Sequence, residues 1–509
     1  MWISRSEHSR ELDRRATEEY GMPAIVLMER AGLAVFQAVQ EFLPDGGKIA
    51  VVCGKGNNGG DGLVVARLAH ERGFTVTVLM TAEEADLREE CRLQLLQLQA
   101  YGLMPIFPRD DRWEMKMECL GMNDVLVDAI IGIGAEGMIQ GKPAEAISAM
   151  NRAGVPIIAV DVPSGIHTDS GDELGESIWA MRTITFGNPK PFLFQGIGLE
   201  HAGHWTVEHI GFPPRLLGEP TDAMILDGCG VCNVIPERLR ASHKGANGHI
   251  LIVAGSHAMR GAAALSAKAA IRSGAGMVTV AAIDSVCDAV MTHCPEAVLM
   301  PLPEENGILT RESADLVLAQ KSKFNGALFG PGLTHEPQVV DFLSKVWSDW
   351  DVPSCIDADA LNAVSLGVQL PDCECVLTPH PGEMSRLLHS TIAEVQADRF
   401  ASVREAVEKF GKAIILKGPY SLASAPGLPC LVNSTGNPGM ASAGMGDVLA
   451  GVIATLLGQE IPPCEAAAAG MFWHGLAGDL AAAETGAIGF TARDVILQLS
   501  AARAKLTES

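Results

Sequence analysis

The sequence predicts two successive α/β domains, each built on a largely parallel sheet with helices on both faces. The chain has 509 residues, more than a single hydrophobic core usually organises. Along both halves, short apolar runs typical of buried strands alternate with longer patterns of helical period. A composition of 48% hydrophobic residues, 54 glycines and 5% aromatic residues indicates a folded α/β enzyme.

The first half predicts a Rossmann-like, doubly wound sheet. A helical pattern covers 24–42, and a second helix begins near Asp61. Such alternation is typical of βαβ units, which place successive strands in parallel. Four apolar runs predict the buried strands of this sheet, at 49–53, 76–79, 125–127 and 157–160.

The second half repeats this alternation after a segment without clear periodicity. The pattern decays from Gly211 to about Arg240, around two consecutive prolines, which favours a linker. We therefore expect domains at 1–215 and 235–509, joined by a linker at 216–234. The elements predicted beyond the linker are strands at 250–253, 277–280, 327–329 and 413–416 and helices at 261–273, 447–457 and after residue 463.

Charge and composition narrow the possible partners. The net charge of −23 disfavours nucleic acid, because nonspecific binding to it depends on Lys and Arg at the phosphates. Charged residues interrupt the most apolar stretches, 262–282 and 466–483, so neither predicts a membrane span. Scattered cysteines and a charged start indicate a reducing compartment. We expect a cytoplasmic protein without nucleic-acid or membrane partners, and a homo-oligomer is compatible with the sequence.

A glycine-rich turn links the strand at 49–53 to the helix that follows. Its sequence is Gly54-Lys-Gly-Asn-Asn-Gly-Gly-Asp-Gly62, with five glycines in nine residues. Glycines allow the backbone to approach a ligand closely, and the amides at a helix N-terminus bind phosphate. The turn therefore predicts a diphosphate site. A purely structural tight turn is the alternative, but it does not require the polar Asn-Asn and Asp.

Two acidic residues follow later strands of the same sheet. Asp128 precedes a Gly-Ile-Gly stretch, and Asp161 begins the sequence Asp-Val-Pro-Ser-Gly. The carboxyl ends of parallel strands meet at one crevice, where Asn58, Asp128 and Ser164 would offer oxygen ligands to a hard cation. Each aspartate taken singly is equally compatible with a helix cap or a turn.

These three motifs, in this order, resemble the NAD(P)HX epimerase family, also called the YjeF N-terminal domain, over about residues 1–215. The resemblance implies that Asp161 lies beside the nicotinamide ring and acts as its acid or base. It implies a potassium ion bound by Asn58, Asp128 and Ser164. The residues implied to contact the hydrated dinucleotide are Asn57, Asn58, Gly59, Gly60, Asp61, Gly132, Ile133, Gly134, Ala135, Glu136, Gly137 and Met138.

The strongest pattern of the second half is the run Thr435-Gly-Asn-Pro-Gly-Met-Ala-Ser-Ala-Gly-Met-Gly-Asp447, directly before a helical pattern. Gly444 and Gly446 leave amides at a helix N-terminus free to bind an anion, and Asp447 can take a proton from a hydroxyl that is being phosphorylated. That pair of features is typical of phosphoryl transfer. A glycine turn with a capping aspartate is the structural alternative.

Three further loops follow apolar strands at the same predicted edge. They carry Gly332, His380 and the segment Lys417-Gly-Pro-Tyr-Ser421. Lys417 and nearby backbone donors could hold a nucleotide phosphate. Taken singly, a loop histidine is usually a solvated residue, and a lysine at a strand end is usually a surface charge.

Together these motifs resemble the ADP-dependent NAD(P)HX dehydratase, or YjeF C-terminal domain, of the ribokinase-like superfamily, over about residues 235–505. The resemblance implies a C-terminal α/β/α domain that phosphorylates the ring hydroxyl from ADP and eliminates phosphate, leaving NAD(P)H and AMP, with magnesium as the aid. Ala263, Gly332, His380 and Asp447 would face the hydrated cofactor. The residues implied to hold the adenine nucleotide are Lys417, Gly418, Pro419, Tyr420, Ser421 and Gly446.

Two positions depart from the family pattern. Met445 stands where the family commonly has threonine, and Thr334 stands where it commonly has glycine. The change at Met445 removes a hydroxyl that would lie near the transferred phosphate, so we expect one hydrogen bond fewer there.

Two other functions remain compatible with the sequence. The anion-binding turn and Asp447 would serve a ribokinase-like kinase of a vitamin precursor equally well, but such a kinase accumulates a stable phosphate ester. The first half would also suit a dinucleotide sensor without activity, since a fold does not by itself establish catalysis.

Overall fold

The computed structural model describes residues 1–238 and 240–508, so the predicted C-terminal boundary at residue 509 lies outside the described residues. The chain forms two compact units that divide between Asp222 and Ala223. This division falls inside the segment 216–234 that the sequence predicts as a linker. That segment is structured, because it contains a strand at Ala223–Ile225 and a short helix at Gly228–Cys232.

The first unit contains one parallel sheet and eight helices within its described residues. Its strands are β1 (Lys48–Cys53), β2 (Thr75–Met80), β3 (Val125–Ala129), β4 (Ile157–Val160), β5 (Arg182–Phe186) and β6 (His204–Glu208). Its helices are α1 (Ser6–Glu18), α2 (Ala24–Phe42), α3 (Asn57–Glu71), α4 (Glu89–Ala100), α5 (Trp113–Glu118), α6 (Lys142–Arg152), α7 (Gly198–His201) and α8 (Pro214–Leu217).

The strand order of this sheet is β2-β1-β3-β4-β5-β6, with every neighbouring pair parallel. Strand β2 lies on one side of β1, whereas β3 and the strands after it are added in order on the other side. The topological switch point therefore lies between β1 and β3, where doubly wound folds open a crevice for ligands. This arrangement confirms the predicted Rossmann-like sheet.

Both faces of the first sheet are buried, as its continuous apolar strands predict. Along β1, Val51 packs in a cluster with Val65 of α3, whereas Val52 packs on the opposite face in a cluster with Trp113 of α5. Side chains alternate between the faces of a strand, so a run without polar residues requires cover on both sides.

Among its described residues, the second unit contains a mixed sheet of ten strands and a separate antiparallel pair, the eleventh and twelfth strands of the chain. Its strands are β7 (Ala223–Ile225), β8 (His249–Val253), β9 (Met277–Ala282), β10 (Val298–Pro301), β11 (Glu304–Glu305), β12 (Ile308–Leu309), β13 (Gly326–Phe329), β14 (Ser354–Ile356), β15 (Cys375–Leu377), β16 (Ala413–Leu416), β17 (Leu422–Ser424) and β18 (Cys430–Val432).

Helices cover the second sheet on both faces. They are α9 (Gly228–Cys232), α10 (Arg260–Arg272), α11 (Asp284–His293), α12 (Ser313–Leu318), α13 (Pro337–Trp347), α14 (Asp359–Ser365), α15 (Pro381–Leu388), α16 (Ile392–Ala397), α17 (Arg399–Phe410), α18 (Met445–Gly458), α19 (Pro463–Thr485) and α20 (Ala492–Glu508). Among the described residues, none of the helices is long and apolar enough to span a membrane.

The strand order of the second sheet is β10-β9-β8-β13-β14-β15-β16-β17-β18-β7. The pairs from β10 to β16 are parallel, whereas β17 is antiparallel to both β16 and β18. The predicted strands at 250–253, 277–280, 327–329 and 413–416 all lie in the parallel part. The antiparallel strands span three residues each, which is too short for a period of two to be recognised in the sequence.

Candidate active sites

The first site begins where β1 and β3 end, at the switch point of the first sheet. The Gly54 amide donates to the Ala129 carbonyl at 2.9 Å. A Cβ atom at Gly54 would lie 1.9 Å from the Ile130 carbonyl oxygen, and one at Gly59 would lie 2.0 Å from the Gly54 oxygen. No side chain fits in either position, so glycine is what allows the two loops and the start of α3 to pack together.

The segment Asn57–Asp61 forms the first turn of α3. The helix begins at Asn57, four residues before the predicted start, and Gly59, Gly60 and Asp61 are buried. The amides in the first turn of a helix have no acceptor within that helix, and they carry its positive dipole end. The geometry therefore supports the predicted diphosphate cradle.

The loop 132–138 packs against this turn at its first residue. A Cβ atom at Gly132 would lie 3.2 Å from the Asn58 Oδ1 atom. The Arg10 guanidinium of α1 reaches the same loop, donating to the Ile133 carbonyl at 3.4 Å and to the Glu136 carboxylate at 3.1 Å. The start of the loop and helix α1 thus border the same crevice.

The other predicted residues of this loop differ in their surroundings. Ala135 is buried, and Gly137 adopts a φ of 69°. Space for a Cβ atom is open at Gly134 and Gly137. Met138 is 69% exposed, and its Sδ atom would lie 3.2 Å from a Cβ atom at Gly175. The structure therefore brings Gly132 against Asn58 but places Met138 on the outer surface.

Asp128 and Ser164 form one hydrogen-bonded group beneath the crevice. The Asp128 carboxylate is fully buried and accepts hydrogen bonds from the Ser164 amide at 2.7 Å, the Ser164 hydroxyl at 2.6 Å and the Ile130 amide at 3.2 Å. Burial raises the pKa of Asp128 to about 6, although the bonds from Ser164 oppose that rise. A buried carboxylate held only by neutral donors favours a bound cation.

The third predicted cation ligand is Asn58. Its Nδ2 atom is buried and without a hydrogen-bond partner among the described residues. Exchanging the oxygen and nitrogen of this amide, which share one shape, would turn the oxygen towards the buried space. The donor set of one carboxylate, one amide and one hydroxyl fits a hard cation such as potassium.

Asp161 lies at the end of β4 with a φ of 66°, in the left-handed region that is rare for residues other than glycine. Its Oδ1 atom accepts from the Lys190 ammonium at 2.6 Å and the Thr185 hydroxyl at 3.0 Å. The side chains of Lys190 and Asp161 are 3% and 13% exposed. A strained backbone and a buried ion pair therefore fix the one carboxylate expected beside the nicotinamide ring.

Two more carboxyl groups respond to the charge of Asp161. Burial raises the pKa of Asp61 well above its ordinary value, and the charges of Asp161 and Asp13 raise it further. Surrounding protein atoms and the charge of Asp161 raise the pKa of Asp13 to about 6, although part of its surface stays exposed. The sequence did not single out Asp13 or Lys190, because each is far along the chain from Asp161.

The second site forms where the parallel strands of the second sheet end. The Lys417 ammonium, directly after β16, lies 2.7 Å from the Asp357 carboxylate, directly after β14. A second carboxylate, that of Glu383, lies 3.6 Å from the same ammonium. The Thr378 hydroxyl donates to Asp357 at 2.8 Å. Asp357 was not predicted, although its position after an apolar strand is the signal that identified the other site residues.

The N-terminus of α18 lies directly over this ion pair. Gly444 caps the helix with a φ of 89°, and a Cβ atom at Gly446 would lie 3.4 Å from the Lys417 Nζ atom. Burial, together with the charge of Asp357, raises the pKa of Asp447 to about 7, while Lys417 opposes that rise. The structure therefore brings together Gly446, Asp447 and Lys417, as the sequence predicts.

Met445 points away from this group. Its side chain is 6% exposed and packs in the core. The family threonine at this position is thus replaced by a core residue, and the amides of the helix N-terminus remain available to an anion.

His380 caps helix α15. Its Nδ1 atom accepts hydrogen bonds from the Gly382 and Glu383 amides at 3.0 and 3.3 Å. Desolvation and the positive charge of Lys417 lower the pKa of His380. The imidazole is therefore neutral, with its proton on Nε2, and its half-exposed ring can still donate towards a ligand.

The loop after β13 contains two residues with positive φ. Gly332 has a φ of 66°, and its Cβ atom would clash with Met259 at 2.9 Å. Thr334 has a φ of 74°, and its buried hydroxyl has no hydrogen-bond partner among the described residues. Ala263, which was expected to face the cofactor, is instead fully buried near the start of α10, backbone included, so it does not lie on the surface of the site.

The predicted nucleotide loop is held from behind by a buried arginine. Gly418 has a φ of 144° and Tyr420 a φ of 46°. The Ser421 hydroxyl donates to the Gly418 carbonyl at 3.0 Å. Arg399, which is 2% exposed, donates to the Pro419 carbonyl at 2.5 Å. Arg399 is buried against the loop and holds it in position. Nothing in the sequence pattern indicates this role.

A buried histidine lies behind the helix N-terminus. Burial lowers the pKa of His474 to about 4, and the charge of Lys417 lowers it further. His474 is therefore neutral. In the sequence, His474 interrupts an apolar helical run, and only this interruption distinguishes it from other histidines.

Two family models match the chain. The model described as YjeF-related protein N-terminus matches residues 24–192, and the model described as NAD(P)H-hydrate dehydratase matches residues 250–500. A bifunctional NAD(P)H-hydrate repair enzyme of Moorella thermoacetica is 37% identical over 505 residues, which cover 97% of this chain and 95% of that relative. The chain belongs to the family of bifunctional NAD(P)H-hydrate repair enzymes.

A second relative and a solved structure agree with this family. The bifunctional NAD(P)H-hydrate repair enzyme of Coxiella burnetii is 37% identical and covers 96% of this chain and 97% of its own. The crystal structure of a ribokinase-like superfamily protein from Enterococcus faecalis matches with a TM-score of 0.51 at 28% identity, over 57% of this chain and 99% of that one. This likeness confirms the ribokinase-like fold predicted for the second half.

Proposed function

We propose that the first unit interconverts the R and S hydrates of NADH and NADPH, and that the second unit dehydrates the S hydrate at the expense of ADP. The observation that carries this proposal is the group formed by Asp447, Gly446 and Lys417 at the end of the second sheet. Full-length similarity to bifunctional repair enzymes supports activity in both units.

In the first unit, the turn Asn57–Asp61 would hold the diphosphate of the hydrated dinucleotide through the amides of α3. Residues 132–137 would line the same crevice, and Asp161 would lie beside the hydrated ring. The Lys190 ammonium, 2.6 Å away, keeps the Asp161 carboxylate in a fixed position. A carboxylate fixed in this way can move a proton at the oxygen bound to the reacting carbon.

Potassium fits the group formed by Asn58, Asp128 and Ser164. When bound, it would neutralise the buried Asp128 carboxylate and hold the glycine-rich turn against the loop after β3. A hydrogen bond within the protein also holds the loop after β3 in place, because the Ser164 hydroxyl accepts from the Ile131 amide at 2.9 Å.

In the second unit, the Asp447 carboxylate would take the proton of the ring hydroxyl as that oxygen attacks the terminal phosphoryl group of ADP. The bond between the phosphoryl group and AMP breaks, and AMP leaves. The amide of Gly446 and the ammonium of Lys417 would stabilise the charge of the transferred group. The phosphorylated oxygen then leaves as phosphate, a proton leaves the neighbouring ring carbon, and the double bond of NAD(P)H is restored.

Magnesium would arrive with the nucleotide. The described residues contain no cluster of three or more His, Cys, Asp or Glu side chains arranged to hold a metal ion. Magnesium usually binds through one or two carboxylates together with substrate phosphates and water. Asp357 and Glu383, on either side of Lys417, are the carboxylates available at the site.

The products test the second reaction. With pure S-NADPHX, ADP and magnesium, we expect NADPH, AMP and phosphate in equal amounts, and Asp447→Asn should reduce the rate by about 100-fold or more because a general base is lost. Accumulation of a phosphate ester without NADPH would instead identify a kinase and would overturn the proposed dehydration. Asp341→Asn, an exposed change on α13, is the matched control and should leave the rate unchanged.

A further inference from the structure

The crevice of the first unit holds three carboxyl groups and one ammonium. Asp13 comes from α1, Asp61 from the first turn of α3, Asp161 from the end of β4, and Lys190 from the segment after β5. Their charges influence one another, since Asp161 raises the pKa of both Asp61 and Asp13, and Lys190 lowers that of Asp13. Four separate elements therefore direct ionisable groups into one space.

Lys190 is fully engaged by the protein. Its ammonium donates to the Asp161 carboxylate at 2.6 Å, the Thr185 hydroxyl at 2.8 Å and the Phe186 carbonyl at 2.8 Å. An ammonium has three protons, so these three acceptors use all of them. Lys190 therefore has no proton left for the substrate and instead acts through Asp161, whose carboxylate it holds in place.

Asp13 lies on the side of α1 that contacts the loop after β3. It lies one helical turn after Arg10, on the same side of α1, and Arg10 contacts the loop at Ile133 and Glu136. This side of α1 therefore faces the region where the dinucleotide is expected. Asp13 is exposed, and its charge interacts with Asp161 and Lys190.

Asp61 supports the presence of a ligand in this space. It is 9% exposed, and none of the other described residues forms a hydrogen bond with its carboxyl group. Burial and the charges of Asp161 and Asp13 raise its pKa well above the ordinary value, which favours the protonated form that donates a hydrogen bond. A molecule bound in the crevice would offer an acceptor for that hydrogen bond.

We infer that Asp13 supplies the proton that releases the hydroxyl of the hydrated ring, that Asp161 works with it as the base, and that Lys190 is the positioning residue for Asp161. This inference rests on the epimerase function proposed above. It assigns the acid to the N-terminal helix, in a position far from every glycine-rich motif of the sequence.

The step balances with these groups and water. The Asp13 carboxyl group gives its proton to the hydroxyl oxygen, the bond from that oxygen to the ring carbon breaks, and water leaves with the bonding pair. The adjacent ring nitrogen uses its lone pair to form a carbon–nitrogen double bond. A water molecule then adds to the opposite face of the ring and gives its proton to Asp161. The reverse direction uses the two carboxyl groups in exchanged roles.

Interconversion without ADP isolates this reaction, because the second unit cannot turn over without ADP. Pure S-NADPHX is incubated with the full chain, and the R hydrate is measured by chromatography above the spontaneous background. For Asp13→Asn we expect a kcat at least about 100-fold lower and a KM within about two-fold of the starting value, since a lost general acid affects turnover and not binding. Glu7→Gln, an exposed acid on the same helix, is the control and should behave as the unchanged chain.

Lys190 requires a measurement that a merely structural role would not alter. Lys190→Met should lower kcat for interconversion by about ten-fold or more and leave KM within about two-fold, because the Asp161 carboxylate is no longer held in place, and Lys190→Arg should restore most of the rate. Circular dichroism and thermal unfolding of the same variants monitor the folding of the first unit. The inference would be overturned if Asp13→Asn interconverted the hydrates at a near-normal rate. It would also be overturned if that variant had a higher KM and an unchanged kcat. Failure of the unchanged chain to interconvert the hydrates would overturn the proposed epimerase function instead.

Discussion

The Nζ atom of Lys417 lies 2.7 Å from the Oδ1 atom of Asp357, directly beneath the N-terminus of α18. This ion pair joins the ends of β14 and β16, and it sets the charge that Asp447 experiences. Asp357 raises the pKa of Asp447, and Lys417 lowers it. The balance between these two residues controls the pH at which the base of the second unit becomes available.

The dehydration rate should therefore depend on pH. Burial and the charge of Asp357 raise the pKa of Asp447 to about 7, and the base is active only when deprotonated. We expect kcat to be low in acid, where Asp447 is protonated, and to rise as the pH increases through about 7. Asp357→Asn removes a negative charge near Asp447 and leaves Lys417 less neutralised, with Glu383 as its other carboxylate neighbour, so both effects lower the pKa of Asp447 and move this limb to lower pH. An unchanged or upward-shifted limb in the pH profile of that variant would contradict the account.

Asp161→Asn should separate catalysis from binding in the first unit. The amide keeps the size of the carboxylate but cannot accept a proton, so interconversion of the hydrates should fall by about 100-fold or more. Calorimetric affinity for NADPH, used as a stable analogue, should change by less than about five-fold, because the diphosphate turn is untouched. Retained interconversion by this variant would contradict the role of Asp161, whereas NADPH binding without interconversion by the unchanged chain would favour a sensor without activity in this unit.

Potassium should stabilise the first unit. We compare thermal unfolding in potassium chloride and in choline chloride at equal ionic strength, and we expect a higher melting temperature in potassium because only the folded unit offers the site. Ser164→Ala removes one ligand and should abolish most of this increment. Ser148→Ala, a change at a partly exposed serine on α6, should keep it. Equal increments in the two variants would show that Ser164 does not bind the cation.

Thr334→Gly should stabilise the second unit. A left-handed conformation costs a residue with a Cβ atom about 1–2 kcal/mol, whereas glycine loses about 0.5–1 kcal/mol through its freedom in the unfolded chain. The change should also remove the buried, unpartnered hydroxyl, and it keeps the backbone bond to Asp359 at 2.8 Å. We expect a gain of up to about 1 kcal/mol in urea unfolding. Thr310 does not have a positive φ, so Thr310→Gly should instead destabilise the second unit. Equal losses of unfolding free energy for the two variants would show that no strain is relieved at Thr334.

Local motifs were enough to predict two largely parallel sheets and one side of each site, but not the parallel strands β5, β6, β10 and β14. The turn Asn57–Asp61 and the run ending in Asp447 follow apolar strands, and the rule that strand ends converge places them correctly. Their partners could not be predicted in this way. Lys190 lies 29 residues from Asp161, and Lys417 lies 60 residues from Asp357. A single sequence does not indicate which distant charges pair.

The same limit applies to the antiparallel edge of the second sheet. The strands β17, β18 and β7 have three residues each and show no usable periodicity. Strand β7 joins this edge from the segment that the sequence predicts as a linker, by pairing Ala223 with Cys430. Such a pairing depends on tertiary packing and not on local propensity.

The most direct test of the central claim incubates an equal mixture of R- and S-NADPHX with the full chain, ADP, magnesium and potassium. The dihydronicotinamide absorbance follows the product. Two active units should restore the whole mixture rapidly, with one AMP for each NADPH. Rapid recovery of only about half, followed by the slow spontaneous epimerisation of the rest, would contradict activity in the first unit, and no recovery that depends on ADP would contradict the account as a whole.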